Sequence, residues 1–142
     1  MTAAQPLSPG SLDANIVLRL LLDDVPEQSE AVITLLEDAA SPFVISDIAV
    51  VEVVFVLCRH YQFTRAEAAE AIETLMTVAE VEVNERLFRR ALPLFVECPK
   101  LSFEDCCLAA LAELADAVPL WTFDKKLANQ SESARLLVPS QP

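Results

Sequence analysis

The chain has 142 residues, 54% of them hydrophobic, enough for one domain that buries roughly two thirds of its unfolded surface. Asp and Glu number 22 against 10 Lys and Arg, giving a net charge of −12, and there is one glycine (Gly10) and one histidine (His60). A lone glycine excludes phosphate-cradling loops. A lone histidine without a GxSxG elbow argues against serine-hydrolase chemistry and leaves a zinc site almost no ligands. The four cysteines, Cys58, Cys98, Cys106 and Cys107, form no CxxC pair and read as structural thiols in a reducing compartment. Carboxylate is what remains in abundance, and hard cations such as Mg²⁺ or Mn²⁺ are the cofactors it can serve.

The start, MTAAQPLSPG, has neither the basic region nor the apolar core of a signal peptide, so a cytoplasmic protein is the expectation. Residues 1–10, with Pro6, Pro9 and Gly10, read as a flexible leader, and 11–139 as a single domain. SLD is expected to end a short strand, and ANIVLRLLL to form a helix capped by Asp13. Pro26 opens a second helix, with Val32, Leu35, Leu36 and Ala39 at helical spacing, which Pro42 is expected to end. FVI is a strand, and Ser46 or Asp47 caps a helix through Glu52 to about His60. The apolar stretch Phe43–Cys58 that spans them is 16 residues long and contains Asp47 and Glu52, too short and too charged for a membrane span.

Thr64 to Thr77 is the next amphipathic helix, VEV at 81–83 a strand, and Glu85 to Glu97 a helix strained or kinked by Pro93. Ser102 and Asp105 resemble a capping box that opens a helix to Ala115. PLWTF is a strand, Asp124 caps a short helix, and ARLLV is a last strand. Short strands alternating with helices imply βα units and a short, mainly parallel α/β sheet flanked by helices.

Four acids stand out. Glu52 sits in an otherwise apolar run, IAVVEVVFVL, on the helical face of Ile48, Ala49, Phe55 and Val56, and is expected in the core. Asp105 is placed on the face of Leu108, Ala109 and Ala112. Asp13 and Asp124 each follow a strand, at the carboxyl edge where ligand sites gather in parallel sheets. Each has an ordinary explanation: Asp13 and Asp124 as caps, Asp105 as a complement to the helix dipole, Glu52 as half exposed or paired with Arg59. Four carboxylates at one edge would repel in a low dielectric, and a divalent cation is the economical way to keep them ionised.

The segments LDANIVLRLL, AVVEVVFVL, SFEDCCLAALA and LWTFDKKLA, around Asp13, Glu52, Asp105 and Asp124, resemble those of PIN-domain ribonucleases, especially the VapC-type toxins of toxin–antitoxin systems. The likeness runs from about residue 11 to 138. It implies a PIN-like fold over 11–139 and a Mg²⁺- or Mn²⁺-dependent endoribonuclease that hydrolyses RNA phosphodiesters. Asp13, Glu52, Asp105 and Asp124 would be its metal-binding, catalytic acids. Asn15 would support the first aspartate, and Thr122 would hydrogen-bond in the site. The resemblance also implies a cognate antitoxin and a homodimer.

Three features depart from the family: the Pro and Gly of LSPGSLD, Pro93 within a helix, and Lys126 where a further acid is common. The charge of −12 opposes RNA capture, so Arg19, Lys125 and Lys126 are the candidate phosphate contacts. A rival reading is a PIN-like binding or scaffold protein that no longer cleaves.

Overall fold

The computed structural model describes residues 8–140, so the leader expected at 1–10 lies, apart from its last three residues, outside the described residues. The chain divides into two compact units, Met1–Asn84 and Glu85–Pro142.

In the first unit the order is α1 (Ala14–Leu21), α2 (Pro26–Glu37), β1 (Phe43–Val44), α3 (Asp47–Arg59), α4 (Arg65–Leu75) and β2 (Val81–Glu82). β1 and β2 are parallel, Phe43 opposite Val81 and Val44 opposite Glu82. The strand expected at SLD shrinks to a single parallel bridge between Ser11 and Val44. Two hydrogen bonds hold it, Leu12 N to Val44 O at 2.9 Å and Val44 N to Gly10 O at 3.0 Å. Pro9 cannot donate to a ladder, and Gly10 turns the chain at φ +138°, a conformation other residues rarely adopt, so pairing can begin only at residue 11.

Side-chain caps set the helix starts. Asp13 Oδ1 accepts from Ile16 N at 3.0 Å, Ser46 Oγ from Ala49 N at 3.2 Å, and Thr64 forms a reciprocal capping box with Glu67. That box holds the Glu67 carboxyl below its usual range, because Thr64 donates its backbone N–H to the ionised form. α2 begins at Pro26 but ends at Glu37, well before Pro42. Its last turn carries no cation, and Glu37 and Asp38 oppose the negative end of the helix dipole. Val17, Val50, Val53, Leu57, Ile72 and Leu75 form the interior, each fully buried.

The second unit runs α5 (Glu85–Glu97), α6 (Phe103–Leu114), β3 (Leu120–Thr122), α7 (Lys125–Gln130) and β4 (Ala134–Leu136). α5 continues unbroken through Pro93, which is exposed, as is Arg89, whose carbonyl would have received the missing N–H; water can serve it there. α5 and α6 meet through Phe103, whose ring lies 5.2 Å from Phe95 edge-on and 6.0 Å from Phe88 stacked. α6 stops at Leu114, where Asp116 takes φ +52° and Ala117 N reaches back to Ala112 O at 2.8 Å, a Schellman closure. β3 and β4 are parallel, Trp121 opposite Arg135.

Every strand pairing among the described residues is parallel, as the alternation of strands and helices predicts. All four cysteines are thiols, and burial pushes the Cys58 pKa up, so it stays protonated. Among the described residues no helix is long and apolar enough to cross a membrane.

Candidate active site

The register of the first unit defines an edge. Ser11, Val44 and Glu82 are aligned across three parallel segments, and two residues past each stand Asp13, Ser46 and Asn84. This is the carboxyl end of the strands, from which α1 and α3 depart. Asp13 is exposed, with Oδ1 engaged by its cap. Asn15 is exposed on the first turn of α1. Asp47, first in α3 and half-buried, accepts from Asn84 Nδ2 at 3.3 Å. Asp47 and Asn84 are edge residues that sequence reasoning did not single out as site candidates, because only the register brings them to one place.

Glu52 departs from expectation: it is exposed, not buried. α3 is apolar on almost every side, and it is Val50, Val53, Val54 and Leu57 that turn inward, while Ile48 (81% exposed) and Phe55 (61%) flank Glu52 on the outer face. Glu52 has no ion-pair partner among the described residues, so the pairing with Arg59 does not form. It lies five residues beyond Asp47, about 7.5 Å along the helix axis.

Arg19, expected as a phosphate contact, directs its guanidinium to Asp24 Oδ1 at 2.5 Å and to the Tyr61 hydroxyl at 3.0 Å, with 12% of the side chain exposed. The Tyr61 hydroxyl in turn donates to Asp24 Oδ2 at 2.8 Å. That bond first, and the Arg19 charge with it, holds the Asp24 carboxyl below its usual range, while the same contacts raise Arg19.

In the second unit, Asp105 is the third residue of α6 and half-buried; its backbone N–H donates to the Ser102 cap at 3.1 Å. Its neighbours Ala109 and Ala112 are buried, Leu108 is 45% exposed, and Glu104 faces solvent. Asp124 is exposed at the carboxyl end of β3. Its Oδ1 accepts from Lys126 N at 2.8 Å and Leu127 N at 3.4 Å, and its own N–H donates to Thr122 Oγ1 at 2.9 Å. Thr122 therefore fixes the two-residue link that presents the acid. Lys125 and Lys126 are exposed in the first turn of α7, where the helix dipole opposes positive charge, so helix stability is not the reason for them.

The donor set is entirely carboxylate oxygen, which suits a hard divalent cation. Among the described residues, no three or more His, Cys, Asp or Glu side chains are grouped to hold a metal ion.

Comparison with curated proteins returned no match. Comparison with protein families returned the PIN domain over residues 11–132, a span that begins at the Ser11 bridge, runs through both units, and encloses Asp13, Glu52, Asp105 and Asp124. The parallel strands with helices leaving their carboxyl ends are accounted for by that match, and the chain belongs to the PIN domain family.

Proposed function

We propose that the chain is a Mg²⁺- or Mn²⁺-dependent endoribonuclease, the toxin of a toxin–antitoxin pair, working as one PIN domain over 11–139 with Asp13, Glu52, Asp105 and Asp124 as its metal-binding acids. PIN domains are generally nucleases that act on RNA, and the observation carrying the reading is that the family match encloses all four acids.

Asp13 and Asp124 would hold the cation: each is fixed by a helix cap through Oδ1, Asp13 two residues past the parallel Ser11 bridge and Asp124 two residues past the end of β3. Asp105, held on the first turn of α6, would complete the ligand set together with Glu52. A bound divalent ion supplies charge stabilisation at the scissile phosphate and lowers the pKa of a coordinated water. Glu52 is exposed and without an ion-pair partner among the described residues, and either it or Asp124 would serve as the general base. Asn15 supports Asp13, Thr122 supports Asp124, and Lys125 and Lys126 meet the RNA backbone. A cytoplasmic location, a homodimer and a basic antitoxin segment complete this reading.

Cleavage of total RNA with Mn²⁺, compared with EDTA and with Asp13→Asn, tests it. The nuclease reading expects cleavage that both EDTA and the substitution abolish; activity indifferent to both, or none at all, would replace it with a non-cleaving PIN scaffold. Growth arrest on expression, relieved by a copurifying small partner, tests the toxin role.

A further inference from the structure

The two strands of the second unit have an outer face that its core does not use. Along β3 and one residue beyond, Leu120 and Thr122 are half-buried, whereas Trp121 and Phe123 are 55% and 68% exposed. Along β4 and one residue beyond, Ala134 and Leu136 are half-buried, whereas Arg135 and Leu137 are exposed. A period of two therefore puts Trp121, Phe123, Arg135 and Leu137 on one side of the pair.

The register sets Trp121 beside Arg135, and the guanidinium carbon lies 5.6 Å from the centre of the indole ring. Leu137 N donates to Thr122 O at 2.7 Å, which carries the register on to Phe123 and Leu137. Immediately after Phe123 come Asp124, a proposed metal ligand, and the exposed Lys125 and Lys126.

Exposed apolar surface of this kind marks an interaction site, and its composition selects the occupant. Two rings, one guanidinium and two ammonium groups suit a nucleobase with its phosphates: any base has a face to stack, and the backbone needs cations. Charge agrees. Residues from Glu85 onward hold seven of the chain's ten Lys and Arg against eight acids, so a polyanion meets a nearly neutral unit here.

We propose that this face is a stacking platform for single-stranded RNA, with Trp121 and Phe123 as positioning residues for unpaired bases and Arg135, Lys125 and Lys126 on the flanking phosphates. The choice of RNA as occupant rests on the nuclease reading above. The platform delivers the strand beside Asp124 and requires unpaired bases, so it restricts cleavage to single-stranded segments.

Trp121 is the only tryptophan, so its emission reports on the platform alone. The test titrates the full chain, in EDTA at low ionic strength, with a fluorescein-labelled oligoadenylate of about 12 nucleotides. Anisotropy and quenching of Trp121 emission should saturate together. Trp121→Ala should weaken binding about tenfold, and Trp121→Phe should recover most of it. Unquenched emission, or a Trp121→Ala chain that binds like the parent, overturns the proposal. So does a Trp121→Ala chain that changes from dimer to monomer in sedimentation while its RNA affinity is unchanged, since the face would then belong to a second copy. Binding in EDTA needs no chemistry. A chain that binds and quenches but never cleaves with Mg²⁺ overturns the nuclease reading and leaves the platform standing, whereas a cleaving chain indifferent to Trp121 does the reverse.

Discussion

Residues up to Asn84 contain three Lys and Arg against fourteen Asp and Glu, a net of −11, whereas residues from Glu85 contain seven against eight, a net of −1. The whole-chain charge of −12 is therefore almost entirely a property of the first unit. A polyanion approaching a protein responds to the local field, screened beyond about 10 Å at 0.1 M salt, so the average overstated the electrostatic objection to RNA. The exposed apolar residues differ in the same sense. Among those of the first unit, Ile48 and Phe55 flank an acid, Glu52; among those of the second, Trp121 and Phe123 stand with Arg135, Lys125 and Lys126.

The largest expected effect would test whether the two units are independent in stability. Phe103 is 5% exposed between the rings of Phe88 and Phe95. Phe103→Ala should cost about 3–5 kcal/mol through lost burial and the cavity left behind. Hydrogen exchange should then accelerate in the helices from Glu85 onward and change little in α1, α3 and α4. Equal acceleration throughout would break the division.

Next comes the separation of cap from catalyst, which can be made once in each unit. Asparagine caps a helix about as well as aspartate, so Asp13→Asn and Asp124→Asn should shift stability by only a few tenths of a kcal/mol. If the carboxylates hold the cation, cleavage of RNA should nevertheless fall at least about 100-fold in each, roughly 2.7 kcal/mol of transition-state stabilisation. Activity retained in one variant but not the other would leave that unit's acid as a cap only. Glu52→Gln, at an exposed position, should leave stability unchanged while lowering activity.

Local signals in the sequence carried much of the fold. Thr64, Ser102 and Asp124 each start a helix at the residue expected, and Ser46 is the one of the two candidates, Ser46 or Asp47, that caps α3, because an N-cap acts within three residues and leaves its mark in the sequence. What failed was non-local. A helix apolar nearly all round does not encode which face turns inward, so the apolar run predicts Glu52 inside with Ile48 and Phe55, whereas all three are outside. Arg19 meets Tyr61 from 42 positions away, and no periodicity encodes that. The same holds for the candidate site: Thr122 and Asp124 are sequence neighbours and readable together, whereas Asp47 with Asn84, and Trp121 with Arg135, meet only through strand register.

The charge asymmetry itself predicts a smaller effect, of about 1 kcal/mol. Raising ionic strength from about 0.01 M to about 0.5 M shortens the screening length from about 30 Å to a few Å and relieves self-repulsion in the unit of charge −11. Amide exchange should slow in α1, α3 and α4 and stay nearly constant in α5 and α6. Equal slowing in both would show that charge is not what distinguishes them.

The smallest effect concerns the Arg19–Asp24–Tyr61 cluster, which gives the acidic first unit a local acid sensitivity. The Tyr61 hydroxyl and the Arg19 guanidinium both donate to Asp24 and depress its pKa in the folded state. A carboxyl with a depressed folded value adds stability that is fully present above its unfolded value, near 3.8, and is lost as pH falls through the folded value. Asp24→Asn keeps the shape and removes the titration. The parent should therefore lose protection at the α1 and α3 ends below about pH 4, while Asp24→Asn starts lower and stays flat over the same range. Because the groups are near the surface, solvent screens the effect, and side-chain NMR of Asp24 and Tyr61 is the suitable probe rather than global unfolding. If the Tyr61 ring signals respond to pH identically in parent and variant, the carboxyl is not coupled to the hydroxyl.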